Sequence, residues 1–286
     1  MSAELPRFVL TLSCPDQPGI VATVSGWLSD NGCNITDSAQ FGDAETGRFF
    51  MRTSFAAPAS LGLDDVRQAF APIFDRFEMK ADINDLGRRA NVIIMVSRFG
   101  HCLNDLLYRH RVGALPIDIA AIVSNHRDFY QLAASHDIPF HHLPVSSATR
   151  ARQEARLSEL FEEESADLLV LARYMQILSD DLCRRLEGRA INIHHSFLPS
   201  FKGARPYHQA HKRGVKLIGA TAHYVTAVLD EGPIIEQEVA HVDHAMPPDD
   251  LVAAGRDIEC LVLARAVKWH AEHRILLNGH RTVVFR

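Results

Sequence analysis

Short apolar runs alternate with helically spaced segments along nearly the whole chain. Residues 7–14 form an apolar run of strand length, and the turn Cys14-Pro15-Asp16-Gln17-Pro18-Gly19 overlaps its end. Ile20, Val24, Trp27 and Leu28 then recur at helical spacing, which predicts a helix over 20–29 closed by Asn31-Gly32. Residues 33–41 and 48–55 predict strands around a hairpin loop at 42–47. A second helix is expected over 63–77 and a last strand over 78–83. That order is a ferredoxin-like βαββαβ unit.

The polar stretch Asn84-Asp85-Leu86-Gly87-Arg88-Arg89 interrupts the pattern, so the expected domains are 1–85 and 86–286. Beyond it, strands are predicted at 91–96, 118–123, 140–143, 168–171 and 190–193. Helices are predicted between them at 103–109, 127–136, 150–163 and 178–186. Such alternation implies a Rossmann-like α/β domain, mostly parallel, with helices on both faces of the sheet. Pro206 suits the first turn of a helix closed by Gly214. Strands at 216–225 and 234–242 and a long helix at 249–270 follow. Asn278-Gly279 then marks a hairpin between 274–277 and 281–285.

Composition narrows the class. At 286 residues two domains are the default expectation, and 47% hydrophobic with 23% charged residues suits a globular enzyme. A net charge of -5 argues against a nucleic-acid partner, which calls for a basic surface. No apolar run reaches membrane-spanning length, and the residues before Phe8 do not read as a secretory signal. The expected location is the cytoplasm, with no membrane partner. The five cysteines (Cys14, Cys33, Cys102, Cys183, Cys260) form no Cys-x-x-Cys pair, which reads as reduced thiols.

Asn192 and His194 end an apolar run, and residues two apart on a strand share a face. His223 and Thr226 close the strand expected at 216–225, which should end nearby. Asp230 follows in the turn Leu229-Asp230-Glu231-Gly232-Pro233. Taken singly, Asn192 suits a loop cap, His194 a satisfied core histidine and Asp230 a turn former. Together, an amide, an imidazole and a carboxylate could polarise a carbonyl and activate a water. That is the chemistry of acyl or formyl transfer.

Two resemblances sharpen this. Asp16-Gln17-Pro18-Gly19-Ile20 and Asn31-Gly32-Cys33-Asn34-Ile35 resemble an ACT domain, a small module that pairs side by side and takes amino acids at the seam between subunits. The resemblance implies a homodimer or homotetramer and an amino-acid effector near Asp16, Gly19, Asn31 and Asn34. A unit that only holds an oligomer together is the alternative. Residues 88–286 resemble the formyltransferases that use 10-formyltetrahydrofolate. The likeness is carried by Asn192-Ile193-His194-His195-Ser196-Phe197-Leu198-Pro199-Ser200-Phe201-Lys202-Gly203, Thr221-Ala222-His223-Tyr224-Val225-Thr226 and Leu229-Asp230-Glu231-Gly232-Pro233.

This second resemblance implies a catalytic Asn192, His194 and Asp230. It also implies a pterin pocket lined by Met175, Gln176 and Ile177, with His223 and Thr226 as further substrate-site residues. His223 would support Asp230 or the carbonyl. The loop Ser97-Arg98-Phe99-Gly100-His101-Cys102-Leu103-Asn104 has one glycine and a bulky Phe99, unlike a phosphate cradle. The segment after Asp249 is too short for a tRNA-holding domain. With Gly203-Ala204-Arg205-Pro206-Tyr207-His208-Gln209-Ala210 and the ACT-like unit in front, the pattern is most similar to the formyltetrahydrofolate deformylases. That family implies hydrolysis of 10-formyltetrahydrofolate to formate and tetrahydrofolate, in support of one-carbon and purine metabolism. Transfer to a small amine, or a non-catalytic folate or amino-acid sensor, stay open as alternatives.

Sixteen histidines raise metal binding, with His208 and His211 on one helix and adjacent pairs at His141-His142 and His194-His195. None has a carboxylate or cysteine at ligand spacing, so no metal is expected. No cofactor is expected beside the folate substrate.

Overall fold

The computed structural model describes residues 5–198 and 206–286, in two compact units. The first unit begins with β1 (Arg7–Pro15), α1 (Ile20–Asp30), β2 (Asn34–Asp43), β3 (Arg48–Ala56), α2 (Leu63–Arg76) and β4 (Lys80–Asp85). Its antiparallel sheet has the order β2-β3-β1-β4. Phe8, Leu10 and Leu12 of β1 lie opposite Phe55, Thr53 and Met51 of β3. Their shared face packs on Val24 and Leu28 of α1 and on Val66 and Phe70 of α2.

The other face of β3 receives the end of the chain. Phe50 packs with Leu276 and Phe285, and Arg52 donates to the carbonyl oxygens of Glu272 and His273. Residues 272–278 and 283–286 therefore belong to the first unit. The division expected after Asp85 falls after Arg89 instead. A buried guanidinium seeking acceptors draws the C-terminal segment in, and no local pattern in the sequence records that.

The second unit holds β5 (Ala90–Val96), α3 (His101–Arg111), β6 (Ile117–Ser124), α4 (Tyr130–Ala134), β7 (Phe140–His142), α5 (Arg150–Glu163), β8 (Leu168–Leu171) and α6 (Asp180–Arg185). It continues with β9 (Ala190–His194), α7 (Pro206–Arg213), β10 (Leu217–Tyr224), β11 (Ile234–His241) and α8 (Pro248–Ala271). The C-terminal strands are β12 (Ile275–Asn278) and β13 (Arg281–Val284). Helix α6 starts later than the pattern at 178–186 suggests, because the Ser179 hydroxyl caps it by accepting from the Leu182 N–H.

The seven-stranded sheet has the order β11-β10-β9-β8-β5-β6-β7. The five strands from β9 to β7 are parallel. β10 and β11 run antiparallel at one edge. The chain winds one way from β5 through β6 to β7, then restarts at β8 on the other side of β5. The gap between the carboxyl ends of β5 and β8 is thus a topological switch point, the place where open α/β sheets bind ligands.

Candidate active site

A cavity of about 210 Å³ opens beside this point, next to β8 and β9. Its walls come from the end of β8, from β9 and from the turn after β10. Asn192, His194, His223, Asp230 and Thr226 line it, as do Met175, Gln176 and Ile177. All eight residues expected at the catalytic and folate site therefore meet in one place.

The route by which His223 arrives is one the sequence pattern leaves open. The strand expected at 216–225 lies nearby as expected, but the pattern assigns it no direction. β10 runs antiparallel to β9, with His223 opposite Asn192 and Thr221 opposite His194. His223 reaches the cavity because a residue directly across an antiparallel pair presents its side chain on the same face.

That pairing sets the proton positions. His223 Nδ1 lies 2.9 Å from the Tyr224 carbonyl oxygen, which can only accept, so Nδ1 carries the hydrogen. Burial pushes the pKa of this imidazole down, which keeps the ring neutral. Nε2 is then an acceptor, and the Asn192 amide, 3.2 Å away, donates to it. His223 thus supports Asn192, whereas Asp230 stays 3.8 Å from Nε2. Among the described residues the second hydrogen on the Asn192 amide nitrogen has no acceptor, which leaves it for a ligand.

His194 Nδ1 is 3.3 Å from Asp230 Oδ1. A hydrogen on Nδ1 faces the carboxylate. His194 Nε2 is buried and has no hydrogen-bond partner among the described residues. The hydrogen bond from His194 holds the Asp230 carboxyl below its usual range, against the opposing effect of burial. Asp230 sits in left-handed backbone at φ 59°, and Gly232 lets its turn close against β10. A Cβ at Gly232 would fall 1.7 Å from the Tyr224 carbonyl oxygen.

The segment expected to line the folate pocket is held from behind. The Met175 N–H donates to Ser97 Oγ at 3.0 Å, and Ser97 Oγ donates to Asn125 Oδ1 at 2.8 Å. Met175 and Ile177 leave their side chains exposed along the cavity. The Thr226 hydroxyl donates to the Val228 carbonyl oxygen, so it shapes the turn it opens.

Several residues escaped sequence reasoning. Ser97 was read only as part of a loop that is no phosphate cradle. Glu259 is buried on α8 among Ile258, Val262 and Leu263. It accepts from Tyr207 Oη at 2.7 Å, lies 2.7 Å from His101 Nε2, and is ion-paired with Arg173 at 3.3 Å. Burial pushes its carboxyl up, yet His101, Arg173 and Tyr207 together outweigh that and its pKa falls. A lone acid within an apolar helical face was the available signal. His195 lies between the rings of His194 and Tyr207, tilted to both, with ring centroids at 5.1 and 6.5 Å. Burial first, and Arg173 second, bring its pKa down to about 4.

Among the described residues, one group of donors has the closeness of a metal site: His101, Cys102 and Glu259. The Glu259 oxygens are already committed to His101, Tyr207 and the cationic Arg173, which disfavours a second cation there. His208 and His211 are exposed on α7 and join no such group. The motif residues Pro199 to Arg205 lie outside the described residues.

The expected ACT ligand residues do not converge within one chain. Asp16 and Gly19 flank the start of α1, while Asn31 and Asn34 follow its end. The helix has 11 residues, so the two pairs stand roughly 16 Å apart along its axis. Asn31 also caps α1, donating to the Trp27 carbonyl oxygen at 2.8 Å.

Comparison with known proteins bears on this geometry. The formyl transferase family profile matches residues 90–267, and the ACT domain profile matches residues 8–71. A formyltetrahydrofolate deformylase from Corynebacterium sp. (strain P-1) is 52% identical over 99% of this chain and 100% of its own length. The chain belongs to the formyltetrahydrofolate deformylase family. A deformylase family member from Bacillus subtilis (strain 168) is 46% identical over 96% of this chain and 93% of its own. The crystal structure of the deformylase from Burkholderia mallei ATCC 23344 matches with a TM-score of 0.94 at 56% identity, covering 98% of this chain and 100% of that one.

Proposed function

We propose that this chain hydrolyses 10-formyltetrahydrofolate to formate and tetrahydrofolate, with Asn192, His194 and Asp230 as the catalytic residues. The observation that carries this is the unpartnered His194 Nε2, buried in the same cavity as the Asp230 carboxylate and the free Asn192 N–H. Asp230 accepts from Nδ1 and so fixes the ring with Nε2 towards the cavity. Donation from His194 and from the Asn192 amide N–H would suit a formyl oxygen that gains negative charge. One such preorganised donor is worth about 10²–10³ in rate.

The second oxygen of Asp230 has no hydrogen-bond partner among the described residues and is open to a water. Asp230 orients that water and takes its proton as the oxygen attacks the formyl carbon. The tetrahedral intermediate collapses with cleavage of the C–N10 bond. The proton passes to N10, tetrahydrofolate leaves, and formate is released with a second proton. Met175, Gln176 and Ile177 hold the pterin through backbone groups that Ser97 steadies, while His223 orients Asn192.

The N-terminal unit is an ACT domain. Its edge strand β2 exposes Ile35 and Phe41, which supports edge-to-edge pairing into a homodimer or homotetramer. The separation of Asp16 and Gly19 from Asn31 and Asn34 favours an amino-acid effector at a seam, where a second subunit completes the site. Among the described residues no helix is long and apolar enough to cross a membrane, in keeping with a cytoplasmic enzyme.

Purified protein given 10-formyltetrahydrofolate without any acceptor tests the reading. Prompt release of equimolar formate and tetrahydrofolate is expected, and Asp230→Asn should lower kcat about 10²–10⁴-fold. Release only after an amine is added would make the enzyme a transferase. Folate binding without turnover would make it a sensor.

A further inference from the structure

The mechanism above leaves one charged group in the cavity wall without a task. Arg173 follows β8 and its side chain is 10% exposed. It lines the same cavity as Asn192, His194, His195 and Asp230. Its Nε lies 3.3 Å from Glu259 Oε2 as an ion pair, without hydrogen-bond alignment. No hydrogen bond from either terminal nitrogen is formed among the described residues. A guanidinium offers five N–H donors, and a buried one left unsatisfied, as Nε is, is costly.

The backbone is also strained to place this group. Arg173 has φ 65°, a left-handed conformation that L side chains rarely adopt. The Ser97 N–H donates to its carbonyl oxygen, which pins the residue across the switch point between β5 and β8. Phe99 covers the guanidinium from one side, its ring centroid 5.7 Å from Cζ. Glu259 is itself fixed by His101 and Tyr207, so it holds Arg173 rather than following it. Strain and a buried donor left unpaired at Nε together point to a ligand that the terminal N–H groups would take up.

We propose that Arg173, seated on Glu259 in the wall of the catalytic cavity, is the subsite for the carboxylate of formate. The inference rests on the hydrolytic reading, which makes a one-carbon carboxylate in this cavity. Formate is planar, anionic and small, and its two oxygens match the paired N–H groups of a guanidinium fork. The Glu259 carboxylate offsets part of the charge, so the product is held without being trapped. His195, next to Arg173 and neutral, adds no competing charge. The glutamate carboxylates of folate are the other carboxylate source. They stand beyond the aminobenzoyl ring from the formyl group, whereas Arg173 sits among the residues that face the formyl carbon.

Two measurements on the intact chain test this. Binding of [13C]formate is followed by its relaxation without substrate, and formate is titrated as an inhibitor of deformylation. Arg173→Gln should weaken formate by at least about tenfold in both. Arg173→Lys keeps the charge but loses the fork, and should fall between. Glu259→Gln frees the guanidinium and should tighten formate, a direction that general loosening of the fold would not produce. Equal formate affinity in wild type and Arg173→Lys or Arg173→Gln overturns the proposal. So does a rise in KM in Arg173→Gln that vanishes with 10-formyltetrahydropteroate, which would assign the group to the folate tail. Absence of formate release by the wild type would instead defeat the hydrolytic reading, and the relaxation measurement would still decide the subsite.

Discussion

Gly232→Ala tests whether the turn after β10 places Asp230. The added Cβ would lie 1.7 Å from the Tyr224 carbonyl oxygen, where real Cβ contacts essentially never fall below 3.0 Å. The turn must therefore retreat by at least 1.3 Å, the difference between those distances. The obstacle is backbone in a paired strand, so it cannot swing aside as a long side chain would. Asp230 lies two residues upstream and moves with the turn. The same carbonyl accepts from His223 Nδ1, so the orientation of Asn192 is disturbed as well. A misplacement of about 1 Å can cost roughly 10²-fold, and two of the proposed catalytic groups are affected here, so kcat should fall by about 10² or more, about 3 kcal/mol. Overpacking should also lower stability by about 1–3 kcal/mol. The folate pocket at Met175 to Ile177 belongs to another segment, so KM should change little. Steady-state kinetics with 10-formyltetrahydrofolate, alongside thermal unfolding, separates these effects. A folded variant with kcat within threefold of wild type would refute the placement argument.

Three further outcomes are expected. Ser97→Ala removes the acceptor for the Met175 N–H and the donor to Asn125, so KM for the folate should rise about 5- to 100-fold with kcat less affected; an unchanged KM would show that the segment holds its shape unaided. His195 has a folded pKa of about 4 against 6.5 unfolded, so the unfolded chain binds more protons between those values. Stability is whole above pH 6.5 and falls towards pH 4, by roughly 2 kcal/mol between about pH 7 and about pH 5, and denaturant melts of His195→Asn should show a smaller loss. Light scattering of the intact chain should report a dimer or tetramer, which Phe41→Lys on the exposed β2 edge should weaken; a monomeric wild type would remove the basis for an effector seam.

The local patterns of this chain carried much of its architecture. Period-two and helical spacing mark most strands and helices, because burial of one face acts on every residue of an element at once. Asn192, His194 and Asp230 could be singled out as candidates because two polar groups end an apolar strand, the third follows in a turn, and the motifs around all three resemble the formyltransferases; that they line one cavity came from the tertiary structure. The antiparallel course of β10 was not legible, since a buried strand reads alike in either direction. Nor was the return of residues 272–278 to the first unit, which depends on acceptors for Arg52 far away in sequence. Glu259, Arg173 and Ser97 belong to the same class. Each looks ordinary among its neighbours in sequence, and its role comes from partners on other elements. The chain itself therefore determined which elements form and which groups could do formyl chemistry. The tertiary structure decided which way His223 faces, what orients Asn192, and where a buried cation waits beside them, because hydrogen bonds and ion pairs are set by distances that only folding creates.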